Sequence, residues 1–482
     1  MEMRIEADSI GSMAVPAKAY YGVQSLRAKK NFNITGRPMH PAFIRNLVKI
    51  KKAAALTNQN LHLLEEQKAE AIICACNEII EGKLMDQFIV DSIQGGAGTS
   101  ANMNANEVIA NRAAEILGGD KGDYTLIHPN DHVNMAQSTN DVIPSAGKLT
   151  VLELLPRTIQ ELKRLHSALL KKSNEFDHIL KIGRTQLQDA VPMRLGQTFH
   201  AYASMILRDI KRIEKSQEEV MVLNMGGTAI GTAINANPEY LSQIVPNINK
   251  VCKTTCIQAG DLIDATQNLD GFVQVSGALK TCAVNLSKLC NDLRLLSSGP
   301  RAGIGEINLP PKQNGSSIMP GKINPVIPEV VTQVAFHIIG NDMAITLAAE
   351  AGQLELNAFE PVLFYSLFES IETLTGAVAT LVDNCIADIS ANEERCLELL
   401  EKSVGISTAL CPYIGYERSA ELAKKSLKTG IPLKELVLME TFLTKEQLED
   451  ILNPAAMTKP EFGQGKLNGC FNLGYLGGTS QF

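Results

Sequence analysis

Two hydroxyls, an amine and an amide stand within nine residues of one another at Ser316, Ser317, Lys322 and Asn324. They lie in the run Gly315-Ser316-Ser317-Ile318-Met319-Pro320-Gly321-Lys322-Ile323-Asn324-Pro325. Gly315 and Gly321 permit positive φ, whereas Pro320 and Pro325 fix φ. Exposed backbone N–H groups beside serines and a lysine make an anion site. A serine is ordinarily a poor base. One held as an alkoxide by N–H groups and a nearby lysine can take a proton. The run closes a stretch from Gly299 to Pro325 that has neither a helical nor a strand period. Long aperiodic loops in compact domains are more often functional than accidental.

Three other polar segments offer related groups. Gln94–Glu107 passes from a glycine turn into a helix start, with Thr99 or Ser100 as the expected cap. The free N–H groups and positive dipole end of such a start favour an anion. His128–Asp141 carries Ser138, Thr139 and Asn140 among side chains that mostly donate or accept hydrogen bonds, so it is either solvated or lines a polar site. Gly183–Pro192 carries Thr185 and Gln186. His128 and His132 have a spacing that binds metal on a helix, but Pro129 interrupts any helix and no third ligand is evident, so no metal site is expected. The pooled set is rich in hydroxyls and amides and poor in acids. It lacks a Ser/His/Asp order with a nucleophile elbow, and no Walker loop is present. Many neutral donors plus one cation suit recognition of a carboxylate. They also suit removal of a proton beside a carboxylate, because the resulting carbanion places its charge on the carboxylate oxygens.

These loops punctuate a helical scaffold. Patterns of helical period run from Ala42 to Asn60 and from about Glu66 to Glu81. Longer seams follow: Leu155, Ile159, Leu162, Leu169, Phe176; then Ala203, Ile206, Ile210, Ile213, Val220. Phe272, Val275, Leu279, Cys282, Leu286, Leu289, Leu293 and Leu296 alternate steps of three and four without a miss. Phe364, Leu367, Ile371, Leu374, Val378, Leu381 and Cys385 do the same. Val330–Ala349 is apolar nearly all round, so burial on all sides is expected. Four sustained seams and the all-round apolar Val330–Ala349, five long helices in all, predict a mainly α protein built on a long helical bundle, buried further by oligomerisation. Texture divides the chain into 1–141, a bundle over 142–390 containing the loop 299–325, a small helical domain over 391–462, and a weakly ordered Gly- and Asn-rich tail over 463–482.

Bulk properties exclude several classes. The 482 residues carry a net charge of −7 without a dense Lys/Arg stripe, which argues against nucleic acid as partner and means that an anionic substrate needs a locally positive pocket. The ten cysteines are scattered with no CxxC pair, as expected of reduced core thiols. A charged N-terminus without an apolar core, and no uninterrupted apolar run of spanning length, predict a cytoplasmic protein without membrane contact.

Gly315–Pro325 resembles the signature of the aspartase/fumarase superfamily. Gly95–Glu107, Asn130–Asp141 and Gly183–Pro192 follow the family's order, and the likeness extends to about residue 460. It implies a mostly helical three-domain fold, a homotetramer around a joined helical core, and active sites each shared by three subunits. Ser316 matches the family's general base, on a mobile loop that closes over a small dicarboxylate. Ser317 and the following N–H groups match oxyanion donors. Lys322 and Asn324 match groups that hold a substrate carboxylate and steady the serine. Thr99, Ser138 and Thr139 match contacts to the other carboxylate; Asn140 lies near the departing group, and Thr185 contacts substrate. Thr139 stands where fumarases have a second serine, and Gln186 where they have a catalytic histidine. Asn324-Pro325-Val326-Ile327-Pro328-Glu329 and Glu360-Pro361-Val362 are similar to the aspartase branch. The implied activity is reversible elimination of ammonia from L-aspartate, with Gln186 orienting the amino group through its amide. Fumarate hydratase, a lyase for a larger succinyl conjugate and a crystallin-like structural relative are the alternatives. No cofactor is implied as a requirement, and activation by a divalent cation is left open.

Overall fold

The computed structural model describes residues 2–440 and 443–458. The expectation for the tail after Gly463 lies outside them. By packing the chain forms two compact units, each assembled from separate stretches.

The first unit comprises 1–166, 204–292 and 311–385. It opens with an antiparallel hairpin, β1 (Met3–Asp8) and β2 (Gly11–Pro16), followed by α1 (Val23–Asn31), α2 (Pro41–Asn60), α3 (Glu66–Ile80) and α4 (Thr99–Ile116). The buried Glu107 on α4 explains how α1 is anchored. Its carboxylate accepts the N–H groups of Gly22, Gln24 and Ser25 and the Ser25 hydroxyl. The orphan donors of the α1 N-terminus are thereby satisfied from a neighbouring helix rather than by a local cap. The long helix α5 (Thr139–Glu175) begins in this unit.

The second unit comprises 167–203, 293–310 and the chain from 386 onward. Its hairpin joins β3 (Leu180–Thr185) to β4 (Gln188–Arg194), with a register shift between Ile182 and Arg184. The short strand Ile307–Asn308 pairs with Ser390–Ala391. Between them Glu306, wholly buried, takes Lys181 at 3.0 Å and Arg184 at 2.8 Å. Leu410, Leu422, Leu436, Val437, Leu448 and Leu452 form the core of its C-terminal helices.

The remaining long helices are α6 (Leu195–Ser216), α7 (Pro238–Cys252), the short α8 (Leu262–Gln267), α9 (Asp270–Leu296), α10 (Val326–Glu350) and α11 (Glu360–Asn384). Every apolar seam residue named from the sequence on α5, α6, α9 and α11 is buried, as is Val220 just beyond α6. Removing each such Leu, Ile, Val or Phe side chain from water is worth about 1.5–3 kcal/mol, which is why the spacing survives as structure. Within the first unit Asp342 of α10 locks onto α9 through Ser276 at 2.7 Å and Lys280 at 2.6 Å.

Two expectations are corrected, and a third is met on one face only. Within the single chain Val330–Ala349 is not buried on all sides. Val331, Ala335, Ile338, Ile345 and Ala348 face the core, whereas Val330, Phe336, Ile339, Met343 and Leu347 are exposed on the single chain. The helix start at Thr99 is capped by Gly98 in a left-handed conformation, not by Thr99 or Ser100. Hairpin β3–β4 occupies the segment Gly183–Pro192 read as a polar loop, and hairpin β1–β2 an N-terminal segment for which no strand was expected. By length and composition alone α10 and α11 (continued to Asp388) are apolar enough to cross a bilayer, although α11 spends most of its surface on the core.

Candidate active site

Two helix N-termini build a polar cradle in the first unit. Gly98 precedes α4 with φ +84°, and a Cβ there would fall 2.8 Å from Ile143 on α5. Only glycine therefore allows the start of α4 to rest against α5. Gln94 reaches back to accept the Ala101 N–H at 2.9 Å. Thr99, the first helical residue, is exposed.

At the start of α5, Ser138 and Asp141 cap each other's backbone turn. Ser138 Oγ accepts the Asn140 N–H at 3.2 Å, and Asp141 Oδ1 accepts the Ser138 N–H at 2.9 Å. Asp141 Oδ2 takes the N–H groups of Gly226 and Thr228. Burial pushes this carboxyl up to about 7, against those backbone donors. The turn Gly226–Gly231 is thereby pinned beneath Asn140, whose Nδ2 donates to Ala229 O at 2.7 Å. One N–H of the Asn140 amide is thereby committed to the turn. This turn lies outside the four polar segments singled out from the sequence. Its glycines and Thr228 were the available signal, but which carboxylate they serve is a tertiary fact.

Ser316 is held by the backbone of its own loop. Its Oγ accepts the N–H groups of Ile318 at 3.2 Å and Met319 at 3.0 Å. Donors aimed at the oxygen favour its charged form. The neck of the loop is closed by Gly315 N–H donating to Lys322 O at 2.9 Å and by Asn324 Nδ2 donating to Gly315 O at 2.7 Å. A Cβ on Gly315 would lie 2.5 Å from Lys322 O. The Ile318 and Met319 N–H groups, assigned to an oxyanion from the sequence, are here spent on Ser316 itself. Ser317 and the Lys322 side chain are exposed. Among the described residues no hydrogen bond joins Ser316, Ser317 or Lys322 to Thr99, Ser138 or Thr139.

Thr185 and Gln186 belong to the second unit, at the exposed tip of the β3–β4 hairpin. Gln186 (φ +54°) and Leu187 (φ +62°) both lie in the left-handed region that a two-residue hairpin turn demands. Neither is Gly or Asn, so the turn is held against local preference at about 1–2 kcal/mol per residue. The two histidines weighed as metal ligands are occupied locally. His128 Nδ1 accepts the Asn130 and Asp131 N–H groups, and His132 Nδ1 accepts the His128 N–H.

Comparison with known proteins decides the family. The lyase family (Lyase) matches residues 11–340, and the fumarase C C-terminus family matches residues 406–459. Curated relatives include an aspartate ammonia-lyase of Bacillus sp., 53% identical over 95% of this chain and 98% of that protein. One of Helicobacter pylori is 54% identical over 95% of this chain and 98% of that protein.

The chain belongs to the aspartase/fumarase superfamily.

Among solved structures of this superfamily, the Brucella melitensis fumarate lyase:delta crystallin bound to cobalt superposes with a TM-score of 0.92. It is 49% identical over 95% of this chain and the whole of that one. A class II fumarase from Schistosoma mansoni gives the same TM-score at 35% identity, with the same coverage of both chains.

Proposed function

We propose that the protein catalyses reversible elimination of ammonia from L-aspartate to give fumarate. Ser316 Oγ takes a proton from C3, and the electron pair of that C–H bond moves onto the adjacent carboxylate as an aci-carboxylate. The pair then returns to form the C2–C3 double bond as the C2–N bond breaks and ammonia leaves. The observation that carries the reading is the Ser316 hydroxyl held by two backbone N–H groups at the closed neck of its loop. The neutral donors Thr99, Ser138 and Thr139 receive one carboxylate; Lys322 and Ser317 receive the other; Asn324 holds the serine's neighbour Gly315. Thr185 contacts substrate, and Asn140 and Gln186 orient the amino group. Gln186 cannot exchange a proton, which favours an amine over a hydroxyl leaving group in need of acid.

Relatives named aspartate ammonia-lyases at 51–54% identity support the substrate. No cofactor enters the proposed reaction. The exposed apolar face of α10 supports assembly with further copies of the chain, which the reading takes as a homotetramer with sites shared between subunits. Fumarate formation by the purified protein, measured separately from L-aspartate and L-malate, tests the reading. Fumarate from aspartate alone is the expected result; fumarate from malate alone would replace it with a hydratase.

A further inference from the structure

Lys51 lies midway along α2 and is wholly buried. Its Nζ donates to Asn134 Oδ1 at 2.7 Å. The same oxygen receives Nδ2 of Asn102 and of Asn106, each at 3.2 Å. Asn102 and Asn106 stand one turn apart on α4, so both amides converge on one point. In doing so they leave their own buried Oδ1 atoms without a partner. Asn102 Nδ2 also reaches Thr139 Oγ1 at 3.3 Å, which places the ammonium two amides below the substrate cradle.

Among the described residues no carboxylate stands within ion-pair distance of Lys51. Asp141, whose field reaches it, spends both oxygens on the backbone N–H groups of Ser138, Gly226 and Thr228. Cys76 of α3, which also faces Lys51, has its thiol pushed up to about 12 by burial and carries no charge. Burial in turn pushes the Lys51 amine down to about 7. Near that value the amine is only partly charged, and an anion arriving close by shifts it to the ammonium. The hydroxyls of the cradle above it, on Thr99, Ser138 and Thr139, are neutral, and burial holds the Asp141 carboxyl at its base toward the protonated form, in a chain of net charge −7. A dicarboxylate arriving there is the missing counter-charge.

We propose that Lys51 is the buried cation of the substrate site, a positioning residue that acts through Asn134 and Asn102. It orients the Thr139 hydroxyl and supplies the positive field that draws one substrate carboxylate onto the α4 and α5 N-termini. Low polarisability around a buried charge lets that field act further than it would in water. The inference rests on the reading of this cradle as a carboxylate subsite.

Two variants test it in the full-length enzyme. Lys51→Met removes the charge at nearly constant volume. Asn134→Asp instead places a carboxylate against the ammonium and the two asparagine N–H groups, so the charge is neutralised inside the fold. The readouts are KM and kcat for L-aspartate and the inhibition constant of succinate, an unreactive dicarboxylate. Both variants are expected to raise KM and the succinate constant by about tenfold or more, with kcat changed far less. A merely structural role predicts that the paired Asn134→Asp variant binds succinate like wild type, and that result overturns the proposal. An Asn134→Asp protein that fails to fold also overturns it, because pairing should relieve the buried charge. If Lys51→Met alone fails to fold, Asn134→Asp decides. Failure of wild type to deaminate aspartate would defeat the functional reading; normal turnover with unchanged constants in both variants would defeat this inference alone.

Discussion

The Met319 N–H donates to Ser316 Oγ at 3.0 Å, so the proposed base is held by its own loop three residues downstream. That geometry depends on the closed neck at Gly315. In Gly315→Ala the new Cβ would meet Lys322 O at 2.5 Å and Asn324 N at 2.7 Å. The neck must open and Ser316 must shift. A displacement of about 1 Å at a reacting group costs on the order of a hundredfold in rate. We expect kcat to fall by about that factor while the thermal midpoint stays within about a degree, since the loop contributes little to the core. Steady-state kinetics and a thermal melt on the same sample check both halves.

Gly98 makes the opposite prediction, with stability and binding failing together. Gly98→Ala must adopt φ +84° and place its Cβ 2.8 Å from Ile143. The left-handed penalty and the overpacking together cost about 2–4 kcal/mol. The start of α4 would be pushed off α5, carrying Thr99 with it. A lowered thermal midpoint accompanied by a raised KM for aspartate is expected; a lowered midpoint with unchanged KM would separate Thr99 from the site.

Glu115 supplies a pH test of the fold. Burial would raise its carboxyl, but hydrogen bonds from Tyr20, Lys121 and Arg112 outweigh that and hold it at about 2. Because the folded value lies below the usual one near 4.5, its stabilising contribution is complete above pH 4.5. It is lost as pH falls from there through about 2. Glu115→Gln is therefore expected to melt below wild type at neutral pH, with the gap narrowing steadily below pH 4.5. Thermal midpoints of both proteins across that range check the sign; a gap that widens in acid would contradict it.

The helical frame was legible because its signal is redundant. On α9 the eight seam residues from Phe272 to Leu296 repeat one message, and all are buried. The Ser316 loop was legible because its residues are local to one another. What stayed hidden depends on contacts across the chain. Lys49, Lys51 and Lys52 look alike in the sequence of α2, yet only Lys51 is buried with no carboxylate paired to it; Lys49 reaches Glu153 and Lys52 bonds Asn77. Gly98, not Thr99, is the cap, at a left-handed position where Ile143 of α5 leaves room only for glycine. The exposed face of α10 was invisible to periodicity, because a helix apolar all round does not say which of its faces the single chain covers.

Ser316→Ala tests the central claim most directly. Ser316 lies on a surface loop, so the variant should fold and bind succinate as wild type does. Loss of the base should lower fumarate formation from L-aspartate by about a thousandfold or more. A folded Ser316→Ala protein that still forms fumarate from L-aspartate at the wild-type rate would show that another group removes the C3 proton.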